Sequence, residues 1–126
     1  MIQHPKAEEL VEAVSKWIDG VRPTLGPRDA FLARVAVNVL GVVRRELAQG
    51  AAAEAAATAR MAELLGHDGD FATLNSELCE AIRTGAMDVG TPGLIQALKA
   101  SIHEQIAIDQ PNYSGYKNAL AGNAGG

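Results

Sequence analysis

The sequence predicts an all-α fold, a single-domain bundle of four to five helices, and three observations carry that expectation. Apolar residues recur three and four positions apart along most of the chain. Pro and Gly fall at the joints between those runs, and no alternating apolar and polar stretch is long enough for a strand. At 126 residues the chain fits one domain and needs neither disulfide nor metal to hold it together. The bundle is expected over residues 1–113, with a flexible tail over residues 114–126.

The first helix opens at Pro5 and places Ala7, Leu10, Val11, Val14, Trp17, Ile18 and Val21 at helical spacing before Gly20 and Pro23 close it. Glu8, Glu9 and Glu12 lie on its outer side, near its positive end. Pro23 and Gly26 then make a loop, and Pro27 opens a second helix expected to run to about Gly50. Residues 31–40 of that helix are apolar almost all round, the pattern of a buried bundle centre. Its valines are β-branched, but its length and lack of turn signals favour a helix over a strand. Residues 51–65 read as a separate alanine-rich helix with Glu54, Arg60 and Glu63 outward, stopped by Gly66. Asp70 is the expected cap of a fourth helix, whose Phe71, Leu74, Leu78 and Ile82 share one face and which Gly85 ends. Thr91 as cap and Pro92 in the first turn start a fifth, with Leu94, Ile95, Leu98, Ile102 and Ile106 as its buried stripe and Pro111 at its end. Residues 114–126 carry four glycines and little apolar weight, hence the expected tail.

Composition narrows the function classes. Much of the 48% apolar content is alanine, and the aromatics are Trp17, Phe31, Phe71, Tyr113 and Tyr116, so the expected core is thin and aliphatic. Cys79 is the sole cysteine, which excludes a disulfide framework or thiolate metal cluster within one chain. The first twenty residues carry Glu8, Glu9, Glu12 and Asp19 and no apolar core, so no secretory signal is read there and a cytoplasmic protein is expected. The longest apolar run, residues 35–43, is interrupted by Asn38 and falls far short of the ~20 residues that span a bilayer, so no membrane role is expected. A net charge of −4 argues against nucleic acid as partner. Within this acidic chain, residues 21–50 form a basic island, with Arg22, Arg28, Arg34, Arg44 and Arg45 against Asp29 and Glu46.

Motifs of catalysis are missing. His4, His67 and His103 have no second histidine three or four positions away, so the zinc signature H-E-x-x-H is not formed. The run His67-Asp68-Gly69-Asp70 fails as a calcium loop, because Thr73 and Cys79 stand where glycine and glutamate are needed. No glycine-rich phosphate cradle is present. Cys79 has no cationic neighbour in sequence and is expected to be a buried structural residue. The sequence therefore assigns no catalytic residue, metal or cofactor, and the chain is expected not to be an enzyme. An independent enzyme using His4 or His103 as base is the weakest reading, since no second catalytic group is placed.

One constellation survives. Arg34, Asn38, Gly41 and Arg45, spaced by four, three and four, lie along one line of the second helix. A small residue flanked by long basic ones is a place where another backbone or a phosphate-bearing ligand can come close. The bland reading, a solvated helix side or groups satisfying buried backbone, carries more weight on spacing alone. A second group surrounds Asp109 and Tyr113. Asp109 at a helix C-terminus opposes the helix dipole and calls for a compensating cation or donor, with Arg34 or Arg45 as candidates.

Four runs carry a resemblance: Gln3-His4-Pro5 with Leu10-Val11-Glu12-Ala13-Val14; Phe31-x-Ala33-Arg34-Val35-Ala36-x-Asn38-x-Leu40; Arg45-Glu46-Leu47 before Gly50; and Ala107-Ile108-Asp109-x-Pro111-x-Tyr113. In order and spacing they resemble a bacterial family of small proteins of unknown function. Its members are similar to the small subunit that accompanies an aminoglycoside-phosphotransferase-like kinase in levulinate (4-hydroxyacid) catabolism. The resemblance implies a non-catalytic accessory subunit that binds this kinase and supports phosphorylation of a hydroxyacyl-CoA, with ATP and Mg²⁺ held by the large subunit. The expected partner-facing residues are Arg34, Asn38, Gly41 and Arg45, joined by His4, Asp109 and Tyr113. The alternative is a helical binder of acyl-CoA or another phosphate-bearing ligand, gripped by Arg34, Arg44 and Arg45. The sequence leaves a homodimer open.

Overall fold

The computed structural model describes residues 4–125; Met1, Gln3 and Gly126, which the expected bundle, the resemblance and the expected tail include, lie outside that range. Helix α1 is Ala7–Val21, followed by a 3-10 turn at Arg22–Thr24, and α2 is Pro27–Leu65. Then come α3 at Phe71–Thr84, α4 at Leu94–Asp109 and α5 at Ser114–Gly125. The fold is all-α, with no strand among the described residues. The chain divides into two compact units, Met1–Gly50 and Ala51–Gly126, whose boundary falls inside α2.

The first difference from expectation is that boundary. Sequence punctuation puts a helix end at Gly50, yet α2 passes through it unbroken and is 39 residues long in all. Glycine costs a helix interior only about 1 kcal/mol relative to alanine, and the alanines that follow are the best helix formers. No proline interrupts the run and Gly50 has no positive φ, so nothing compels a stop.

In the first unit, α1 starts where the Glu9 carboxylate accepts a hydrogen bond from the Lys6 backbone N–H at 3.2 Å, satisfying a donor that the helix leaves open. The sides of α1 and α2 that turn inward are marked by half-buried Val11, Ser15 and Ile18 on one and by Ala33, Val37 and Leu40 on the other. Ala33 is the one buried residue among those described in this unit. The apolar centre of α2, expected to be enclosed, is thus largely open: Phe31 is 64% exposed and Val39 55%.

The second unit has a core of its own. Met61 from α2, Leu74 and Leu78 from α3 and Leu94 from α4 form it, with Leu64, Leu65, Met87 and Leu98 packed around them. Asp70 caps α3 as expected, its carboxylate accepting from the Thr73 backbone N–H at 2.8 Å. Gly85 ends that helix in the left-handed region at φ 81°, where a side chain is disfavoured. Thr91 does not cap α4. Its hydroxyl accepts from the Asp88 N–H at 3.0 Å and its own N–H bonds the Asp88 carbonyl at 2.9 Å, which closes a turn and moves the helix start to Leu94, behind Gly93 at φ 85°. Of the expected stripes, Leu74, Leu78 and Leu94 are buried, whereas Phe71, Ile82 and Ile102 are exposed. Cys79, expected inside, is also exposed. It is the neighbour of Leu78 on a helix that buries only a narrow face. Residues 114–125, read from sequence as tail, carry α5, which lies against α4.

Candidate functional site

Helix α2 presents Arg34, Asn38, Gly41 and Arg45 along one line in the first unit. Arg34 and Asn38 are exposed, and Gly41 and Arg45 are half-buried. The Arg34 guanidinium makes no hydrogen bond or ion pair among the described residues. The gap expected at Gly41 is filled by this chain: the Arg45 side chain folds back, so that a Cβ at position 41 would meet its Nη1 at 3.1 Å. The missing side chain therefore makes room for the chain's own guanidinium.

The same stretch of α2 is bordered by exposed Phe31, Leu32, Val35, Val39 and Val43. On α1, Leu10, Val14 and Trp17, at helical spacing, are exposed too, the indole by 68%. Of these, Phe31 lies beside Arg34, three positions back on the same side of α2, and an exposed cation next to an uncovered aromatic ring has the composition of a protein-docking surface, where arginine and aromatic residues supply most of the binding energy. Sequence patterning located these residues and assigned them to the interior. The missed signal is arithmetic: a helix apolar all round needs neighbours on every side, and the first unit supplies only one other long helix.

The other expected residues are placed differently. His4 is exposed ahead of α1 in the first unit. Asp109 and Tyr113 belong to the second unit. Asp109 ends α4 and takes a hydrogen bond from the Gln105 amide at 2.9 Å, which supplies a donor one helical turn away. Tyr113, 53% exposed, lies over Gly115, where a Cβ would come within 2.6 Å of its ring.

Two polar clusters in the second unit escaped the sequence reading. Arg60 of α2, assigned outward, reaches α4: Nη1 and Nη2 donate to the two Glu104 carboxylate oxygens at 2.9 Å each, and Nη2 also donates to Ser101 Oγ at 3.0 Å. Its buried Nε has no partner. Beside it an open cleft of about 420 Å³ is lined by Arg60, Glu63, Thr91 and Gln96 among others. The second cluster joins the His67 ring to the Asp68 carbonyl at 3.0 Å and to the Glu77 carboxylate at 2.6 Å. Both acceptors favour the charged ring, the carbonyl foremost, and hold its pKa above the ordinary histidine value. His103 meets the Tyr116 ring edge-on at 6.1 Å. Among the described residues no three His, Cys, Asp or Glu side chains are placed to hold a metal ion, and no helix is long and apolar enough to cross a membrane.

Comparison with curated proteins gives no match, and neither does comparison with solved structures. One family model does match, over residues 23–113. That span holds α2, α3 and α4 together with the arginine line and Tyr113. With most of its length so matched, the chain belongs to the DUF6285 family, described as a domain of unknown function.

Proposed function

We propose that this chain is a non-catalytic accessory subunit that docks on a protein partner through the Arg34/Asn38/Arg45 line of α2. Its partner in this reading is an aminoglycoside-phosphotransferase-like kinase, whose phosphorylation of a hydroxyacyl-CoA it supports. The observation that carries the docking reading is the Arg34 guanidinium, exposed and unpaired among the described residues, beside exposed Phe31 in the N-terminal part of α2. A partner carboxylate can engage such a group in a two-pronged hydrogen bond, and arginine gives more per contact than lysine there because its fork is rigid. The kinase as partner is supported by the sequence resemblance over residues 3–113.

Co-expression with such a kinase tests the reading. The two chains are expected to co-purify, Arg34→Glu to abolish co-purification while leaving helix content intact, and kinase turnover of a hydroxyacyl-CoA to fall when the small chain is omitted. Full turnover by the kinase alone would overturn it. Calorimetry with coenzyme A on the isolated chain separates the alternative: binding that is lost in Arg34→Ala would replace the docking surface with a ligand site.

A further inference from the structure

The first unit has an outside where its inside should be. A four-helix bundle encloses its apolar stripes between two layers of helices, but this unit has one layer, α1 and the first half of α2, with Ala33 alone buried among its described residues. The uncovered side chains are not scattered. At 3.6 residues per turn, Leu32, Val39 and Val43 form a ridge about 150° round α2 from the Arg34/Asn38/Gly41/Arg45 line. On α1, Leu10, Val14 and Trp17 form a stripe about 100° from its half-buried Val11, Ser15 and Ile18. When two helices joined by a short turn run antiparallel with those inward sides together, both stripes fall on one side of the pair and the arginine line on the other. On α2 the apolar ridge runs between Arg28 and Glu46, which lie on the same side one turn before Leu32 and one turn after Val43, whereas the opposite side holds Arg34 and Arg45.

We infer that a second copy of this chain covers that apolar side, two α1–α2 pairs closing face to face into a four-helix bundle. The area argues for it. At their exposures, Leu10, Val14, Trp17, Leu32, Val35, Val39, Val43 and Leu47 leave on the order of 750 Å² uncovered per copy, comparable to the ~800 Å² per partner of a standard stable interface. The charge balance of the parts that meet allows it as well: residues 1–50 carry seven bases and six acids, so these halves bring almost no net charge of their own to the contact. The face is also its own complement, apolar against apolar, as a two-fold interface requires. The arginine line stays on the outside of the bundle, so this dimer and the proposed kinase docking use different surfaces and are tested by different variants.

Sedimentation equilibrium of the full chain under reducing conditions, which exclude a disulfide through exposed Cys79, reads the mass directly. The expected mass is twice 13.2 kDa. Emission from Trp17, the single tryptophan, is expected blue-shifted in the dimer and to move red on dilution as the indole is uncovered. Val39→Glu is expected to weaken the dimer by a hundredfold or more, roughly the effect of an unpaired charge in an apolar interface, while Arg34→Glu on the opposite side leaves the mass unchanged. Dilution of the unaltered chain decides the matter even where Val39→Glu unfolds. A mass of 13.2 kDa at every concentration, with red emission throughout, would overturn the inference, as would a dimer indifferent to Val39→Glu.

Discussion

The Arg60–Glu104 bridge allows a quantitative prediction, because it is the one long-range ion pair among the described residues and joins α2 to α4. Its two N–O distances are 2.9 Å, and the side chains are 24% and 32% exposed. Unit charges about 4 Å apart attract by about 4 kcal/mol at an effective dielectric of about 20. Partial desolvation of both groups and the entropy of holding two long side chains offset most of that, leaving a coupling of about 1 kcal/mol. The two single variants are not expected to cost the same. Glu104→Ala leaves a guanidinium half-buried without its anion, at about 2 kcal/mol. Arg60→Met costs about 1 kcal/mol, because its methylenes still pack and the partnerless Nε is removed together with the charge. Urea unfolding of the four proteins of a double-mutant cycle measures this, and the double variant is expected to fall short of the summed singles by about 1 kcal/mol. Raising the salt concentration should shrink the coupling only slightly at this degree of burial. A coupling indistinguishable from zero, or Arg60→Met costing more than Glu104→Ala, would refute the assignment of the bridge as a cross-helix tie.

The remaining predictions concern the second unit. Leu74 is fully buried among Met61, Leu78 and Leu94, so Leu74→Ala is expected to cost about 3–4 kcal/mol in the same unfolding assay; a loss below about 1 kcal/mol would mean that the core sits elsewhere. The raised pKa of His67, due first to the Asp68 carbonyl and then to Glu77, fixes the sign of a pH effect. A group titrating higher in the folded chain contributes stability fully below its unfolded pKa and loses it as pH rises through the folded one. Melting temperature of the unaltered chain is therefore expected to decline more steeply than that of His67→Gln between the ordinary histidine value and the raised one, and parallel curves would contradict the His67–Glu77 contact.

Elements set by local chemistry were legible from the chain. The Asp70 cap and the Gly85 stop need only neighbouring backbone groups and a left-handed residue, and Leu74, Leu78 and Leu94 lie inside as their spacing requires. The line of Arg34, Asn38, Gly41 and Arg45 was equally visible, since one helix period fixes which residues align.

What only tertiary structure decided is which apolar and charged side chains find company. Periodicity states that Phe31 and Val39 are apolar on every side of a helix, but burial depends on how many other helices arrive, and in the first unit too few do. Gly50 is permissive in both directions, so whether it ends a helix or sits within one depends on the packing of the residues that follow. The pairing of Arg60 with Glu104 bridges 44 positions of sequence. An ion pair of that span follows from the approach of two helices, which the order of residues alone does not encode in any local pattern.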